Sequence, residues 1–290
     1  MEKMTMTTAI RTGDEILQET VVRIGDALGG DLNKLRVERA AIGLFFTGVK
    51  LSNGMGGICF TPIKAIPEAV CCPSSARAMP HSGKLAGEAV EAHINRLSNG
   101  GPLQRALSIA VLNALSATCW QKQPPQDYQL KLGKDPVDET IIPREAVVVV
   151  VGALVPYIKM LKQRGNPFSI LEMDPRTLKA EEMRYYCAPE KADACLAAAD
   201  LVIVTGMTLL TNTLEGILAH LKQGAKAILV GPTASMLPDS FFKRGIEAIG
   251  GIMVTNADLL LDTLTEAGSG YHFYGKSAER LTINRTLSRH

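Results

Sequence analysis

The chain has 290 residues, a formal net charge of +2, 46% hydrophobic, 21% charged and only 5% aromatic residues. That balance excludes a disordered polypeptide and gives no electrostatic argument for nucleic acid or an acidic membrane surface. The longest apolar stretch, 146–155, is about half of a ~20-residue membrane span and contains Gly152.

The first residues lack the apolar core of a secretory signal, so no membrane partner and a cytoplasmic location are expected. In that compartment Cys59, Cys71, Cys72, Cys119, Cys187 and Cys195 default to reduced thiols. No two of them form a C-x-x-C pair, which argues against a closed structural zinc site.

In chain order, 13–28 opens with Thr12-x-x-Glu15, a capping-box pattern, and sets Ile16, Leu17, Thr20, Val21, Ile24 and Leu28 on one helical face. Three strand-like runs follow, 36–44, 45–51 and 57–62, the last two joined through Ser52-Asn53-Gly54, a strong hairpin signal. Leu85, Ala86, Ala89, Val90, Ile94 and Leu97 form one helical stripe. A second runs from Leu103 to Leu115 and is entered through Pro102. Helix, meander and helices make an α+β region over 1–125.

Residues 121–143 are polar and broken by prolines, and read as a connecting segment with a hinge. Strand and helix then alternate over 135–290: strands at 147–151, 168–173, 201–205, 227–230 and 251–254, with a less regular stretch at 180–199. Asn212 with Glu215 has capping-box spacing, and Asn256 precedes the helix at 257–266. The apolar runs do not alternate, which suits parallel strands buried on both faces of a doubly wound α/β domain.

Two of these strands stop at glycine and continue into small hydroxylated residues. They read Thr205-Gly206-Met207-Thr208 and Gly231-Pro232-Thr233-Ala234-Ser235. Ligands of open α/β sheets sit beyond the carboxyl ends of the strands, so Thr205, Gly206, Met207, Thr208, Asn212, Gly231, Pro232, Thr233 and Ser235 are the primary candidates for a small polar or anionic ligand.

Three other motifs are weaker. The first strand–helix junction, Val151-Gly152-Ala153-Leu154, has one glycine where a dinucleotide fingerprint needs three, although Glu172 and Asp174 stand where a ribose would be bound. Gly270 to Ser277 fits G-x-x-x-x-G-K-S, but a helix precedes it and three aromatics fill the loop; Lys276 remains a cleft candidate. Of five histidines, His81 and His272 are the loop-placed metal candidates, whereas His93 lies on a packed stripe. No nucleophile elbow, Cys-His motif or H-E-x-x-H is present, and the residues do not disclose a reaction.

The run 201–209 with 231–238 resembles a bacterial and archaeal family, long listed as a domain of unknown function, that carries the label putative heavy-metal chelation. Ile42-Gly43-Leu44, Thr47-Gly48-Val49, Gly56-Gly57-Ile58 and Thr61-Pro62 resemble its companion N-terminal domain. The resemblance spans nearly the whole chain. It implies an enolase-N-terminal-like α+β domain followed by a Rossmann-like α/β domain, with a cleft between them. It also implies a divalent transition metal, or its organic complex, as cofactor or cargo.

The expected function is therefore binding or conversion of a small polar or metal-chelating molecule in an interdomain cleft. Lys50, Asn53 and Gly54 would contribute from the N-terminal hairpin. The alternatives are an enzyme using an S-adenosylmethionine- or NAD-type cofactor, and a non-catalytic scaffold. A homo-oligomer is left open.

Overall fold

The structure, a computed structural model, describes residues 14–65, 79 and 81–286. Helix α1 (Glu15–Leu28) opens it, preceded by Asp14, and the Thr12 of the expected capping box lies outside the described residues. Strands β1 (Val37–Ile42), β2 (Phe46–Leu51) and β3 (Gly56–Phe60) form the antiparallel meander in sequential order. Helices α2 (Val90–Asn99) and α3 (Pro102–Lys122) follow. Helix α2 starts later than the stripe from Leu85 implies, because Ala89 is still held in a β-bridge to Arg36.

The remaining chain is one sheet with its helices. The elements are β4 (Tyr128–Leu132), β5 (Val148–Val151), α4 (Val155–Arg164), β6 (Phe168–Leu171), β7 (Tyr186–Cys187), α5 (Ala192–Ala198) and β8 (Leu201–Thr205). Then come α6 (Met207–Leu210), α7 (Leu214–Ala219), β9 (Lys226–Val230), α8 (Asp239–Lys243), β10 (Ile246–Val254), α9 (Ala257–Thr265), α10 (Gly270–Phe273) and β11 (Ala278–Arg285). The sheet order is β4-β11-β10-β9-β8-β5-β6-β7. Strands β5 to β10 pair in parallel, while β11 runs antiparallel to both β10 and β4.

Two strands correct the sequence reading. The supposed linker contributes β4 at the sheet edge, its Lys131 and Gln129 tolerated there because an edge strand need not be buried. The chain after the phosphate-loop look-alike forms β11, eight residues long, paired along β10.

The sheet is buried on both faces. Val149, Val202, Val204, Ala227 and Leu229 join one core with Ile24 of α1 and Leu107, Val111 and Leu115 of α3. Val148, Val150, Leu201, Ile203 and Ile228 pack on the other face with Ile158 and Leu161 of α4. The N-terminal region is thus the cover of one sheet face. An open hinge at 121–143 is replaced by a shared hydrophobic core.

Polar groups fasten the same seam. Arg105, on α3, donates to both Asp14 carboxylate oxygens, to Leu97 O, and to Leu209 O and Leu210 O at the end of α6. Asn113 donates to Ile58 O at 2.7 Å and to Thr233 O at 3.1 Å, joining β3 to the loop after β9. Gly57 has no side chain because a Cβ there would strike the α3 backbone at Ala110 and Ala114.

Two further expectations change. Asn212 does not cap α7: it takes φ 58°, and the helix begins after Thr213. Glu215 instead accepts the Ile16 N–H at 2.6 Å, terminating α1 from across the seam. Of the six thiols, Cys187 and Cys195 are joined as a disulfide between β7 and α5, whereas Cys59 and Cys119 are free and buried. Cys71 and Cys72 lie outside the described residues. Asn256 caps α9 as expected, accepting from Leu259 N.

Candidate functional site

Beyond the carboxyl ends of β5, β8 and β9, a cleft of about 730 Å³ opens. Its wall includes Thr205, Gly206 and Met207 from the β8 end and Gly231, Pro232 and Thr233 from the β9 end, so six primary candidates meet there. The location is physical: neighbouring parallel strands end together while their connections diverge, leaving a crevice.

The candidate residues divide by what their polar atoms already do. Gly206 N–H donates to Val230 O and Gly231 N–H to Gly250 O, both at 2.7 Å. The strand-end amides are therefore spent on the sheet. Gly231 takes φ +121°, a conformation L side chains rarely adopt, so glycine is required by the turn itself. Thr205 Oγ1 accepts from Met207 N at 3.3 Å, and Thr208 Oγ1 donates to Thr205 O at 2.7 Å. Thr233 Oγ1 accepts the Phe60 N–H at 3.1 Å, tying β3 to the cleft wall. Ser235 is buried beneath, donating to Pro232 O and accepting from Ile252 N. Thr208, Ser235 and much of Thr233 hold the frame.

The remaining candidates stand outside the cleft wall. Lys50 pairs with Glu38 and Asp258, both at 2.8 Å, and its ammonium is held above the ordinary lysine range by Asp258 first and Glu38 second. Asn53 donates to Thr118 on α3 and accepts from Met55 N, and Gly54 forms the exposed turn beside it. The hairpin signal is sound, but its tip faces the helix. Glu172 accepts Ala153 N–H at 2.9 Å and Asp174 N–H at 3.0 Å. Asp174 pairs with Arg176 and Lys64, and the Arg176 guanidinium holds its carboxyl well below the usual carboxylate range. Lys276 is exposed in the turn before β11. Asn212 lines a separate small recess beside α1.

The sequence reading missed most of the remaining wall. Phe45, Phe46 and Phe60 come from the meander, Tyr157 from α4, and Tyr271 and Tyr274 from α10 and its end. A chain with seven Phe, six Tyr and one Trp thus sends six aromatic side chains to one cleft. Phe46 packs edge-on against Phe60 at 6.0 Å and against Phe273 at 5.5 Å, and Phe273 touches Tyr274 at 5.0 Å. Phe45 and Tyr271 stand at the rim, 41% and 97% exposed.

Charge enters through Lys134, Asp135 and Arg280. Tyr157 Oη donates to Asp135 Oδ2 at 2.8 Å, Val137 N–H donates to the other carboxylate oxygen at 3.0 Å, and Arg280 Nη1 lies 3.6 Å away. Burial, then the Asp135 charge, pushes the Tyr157 phenol well above its ordinary value, so it stays protonated and donates. The Arg280 guanidinium lies over the Tyr274 ring at 5.5 Å. The nearest sequence signal for these residues is the density of aromatics at 45–46 and 271–274.

The chain matches a family described as "Putative heavy-metal chelation" over 135–283, and a second family of the same description over 25–116. It belongs to this family. It is 30% identical over 196 residues to an uncharacterized protein of Methanocaldococcus jannaschii, covering 65% of this chain and 69% of that one. Two solved structures, both of DUF364-family proteins of unknown function, are similar in fold. One, from Pyrococcus horikoshii, gives a TM-score of 0.73 at 17% identity, covering 93% of this chain and 99% of that one. The other, from Desulfitobacterium hafniense, gives 0.68 at 16% identity, covering 92% and 100%.

The family description implies a heavy metal, and the donor set can be tested against it. Among the described residues no group of three or more His, Cys, Asp or Glu converges to hold an ion. The cleft wall has one carboxylate, Asp135, already engaged, and neither His nor Cys. The Cys59 thiol is pushed up to about 12 by burial, which keeps it protonated. His272 accepts from Ser269 N at the start of α10, and His81 lies 3.8 Å from Glu88. These residues do not fit a resident heavy-metal ion. Nor is any helix among the described residues long and apolar enough to cross a membrane.

Proposed function

We propose that this protein binds a small polar organic molecule in the cleft at the strand ends, and that any metal it handles arrives as cargo held by that molecule. One observation carries this reading: a cleft of about 730 Å³, within the usual ~300–1,000 Å³ of small-ligand sites, whose lining is aromatic and cationic and poor in metal donors. The parallel strands run β7-β6-β5-β8-β9-β10, the 3-2-1-4-5-6 order of a Rossmann-like domain, and the cleft lies at its switch point between β5 and β8. The helix–meander–helix region is taken as the enolase-N-terminal-like cover. The division into 1–125 and 135–290 is part of the same proposal.

The strand order also favours the second reading, an adenosine-type cofactor. Glu172 weighs against it. In a dinucleotide site the acid at the second strand end binds ribose and the first loop's amides meet phosphate. Here the Glu172 carboxylate itself takes the Ala153 amide.

Native mass spectrometry with elemental analysis of freshly purified protein tests the proposal. The expected result is a retained small molecule, with any metal present in proportion to it and both lost in Tyr271→Ala. A bare ion bound one-to-one, unaffected by Tyr271→Ala but lost in His81→Ala, would overturn it.

A further inference from the structure

We infer that the cleft selects a flat ring bearing carboxylate, gripped at its edge by Arg280 and Lys134; this rests on the reading of the cleft as a small-ligand site. Two cations and one anion line the cleft; Asp135 accepts from Tyr157 and Val137 and lies 3.6 Å from Arg280 Nη1, which leaves the wall one net positive charge. Among the described residues Lys134 forms no ion pair; its charge is felt by Glu139, but that carboxylate is already paired with Lys131 at 3.0 Å. Arg280 is oriented by the Tyr274 ring below it, and its side chain is 56% exposed. A planar guanidinium presents a fork that matches a carboxylate with two parallel hydrogen bonds.

The strand-end amides favour carboxylate over phosphate. Phosphate sites in this architecture draw on backbone N–H groups at a strand–helix turn. Here Ala153 N–H is held by Glu172, Gly206 N–H by Val230 O and Gly231 N–H by Gly250 O. With these strand-end amides engaged, the Arg280 and Lys134 side chains are the cationic donors that this wall offers an anion. The aromatic wall supplies the preference for a flat partner. Tyr271 and Phe45 leave large apolar faces in water at the rim, and a ring laid against them removes that exposure while keeping its acid at Arg280. A flat ring acid with a second donor beside its carboxylate, such as a ring nitrogen, chelates metals, which connects the cleft's chemistry to metal cargo.

Isothermal titration with pyridine-2,6-dicarboxylate tests this against two controls. Pyridine-2,6-dimethanol is flat without charge, and cis-cyclohexane-1,3-dicarboxylate is charged without being flat. One-to-one binding of the first alone is expected. Arg280→Gln should weaken it at least tenfold, Lys134→Gln three- to tenfold and Tyr271→Ala several-fold, while Lys276→Gln, outside the wall, changes nothing. The thermal midpoints of the ligand-free variants should match the wild type, which separates lost recognition from lost folding. Equal binding of the diol, equal binding of the saturated diacid, no binding of any probe, or indifference to Arg280→Gln each overturns the inference. The retained-mass measurement judges the broader cleft reading separately.

Discussion

The contact between the N-terminal region and the sheet has two halves built by opposite rules. On one half α1 and α3 lie flat on the strands, apolar groups fill the space, and Arg105 and Asn113 satisfy carbonyls from both sides. On the other half Phe45, Phe46 and Phe60 of the meander, with Lys134 and Arg280, face a cleft at the strand ends. Thr233 marks the border: its hydroxyl closes the seam on Phe60 N–H while its other side lines the cleft. The difference teaches where stability and recognition reside. Substitutions in the sealed half should change folding, and substitutions in the open half should change binding.

The largest effect is expected from Arg105→Met. It removes hydrogen bonds to Asp14, Leu97, Leu209 and Leu210 at a site 9% exposed, and with them the Arg105–Asp14 ion pair. A loss of about 3–5 kcal/mol in urea unfolding is expected, as for broken buried pairs. A loss below ~1 kcal/mol would mean that the seam is held by apolar packing alone. Next is Asn113→Ala, which unpairs the Ile58 and Thr233 carbonyls and should cost about 1–3 kcal/mol. Thr233→Val belongs with it, because it strands the Phe60 N–H, and a cost near 1 kcal/mol or more separates it from a purely ligand-facing residue.

Thr205→Val sharpens the comparison from the open side. Its hydroxyl holds only a 3.3 Å contact from Met207 N, so the ligand-free protein should stay within ~0.5 kcal/mol of wild type while titration with the ring diacid weakens. Equal losses of stability in Thr205→Val and Thr233→Val would erase the border.

The smallest effect concerns acid. Glu19 on α1 is held down to about 2 by Arg244, just after α8, first and then by Lys243, the last residue of α8. A carboxyl depressed in the folded state contributes stability above its unfolded value near 4.5, and that contribution fades as pH falls toward 2. Glu19→Gln should therefore flatten the thermal midpoint between pH 4.5 and 2 slightly and leave the neutral-pH slope unchanged, as suits a half-buried pair still open to solvent. An unaltered acid limb would show that this pair contributes nothing across the seam.

The sequence made the strand ends readable because apolar runs that stop at Gly206 and Gly231 have few other structural meanings. It hid β4 because an edge strand with Gln129 and Lys131 has the composition of a linker, and it hid β11 behind a glycine–lysine–serine motif. The cleft wall was harder. Phe45, Asp135, Tyr157, Tyr271 and Arg280 are scattered along the chain and meet only through sheet order and the shared core. Glu172 and Glu215 were legible as acids at informative positions, yet their partners, Ala153 N–H and Ile16 N–H, depend on tertiary geometry. Lys50 and Asn53 were placed on the right hairpin but face α9 and α3.

Hydrogen–deuterium exchange with saturating pyridine-2,6-dicarboxylate tests the division of the seam most directly. The account predicts slowed exchange at 205–208, 230–233 and 269–274, with no change along α1 and α3. Slowed exchange confined to α1 and α3, or to 81–96 around His81 and His93, with the strand ends unaffected, would contradict it.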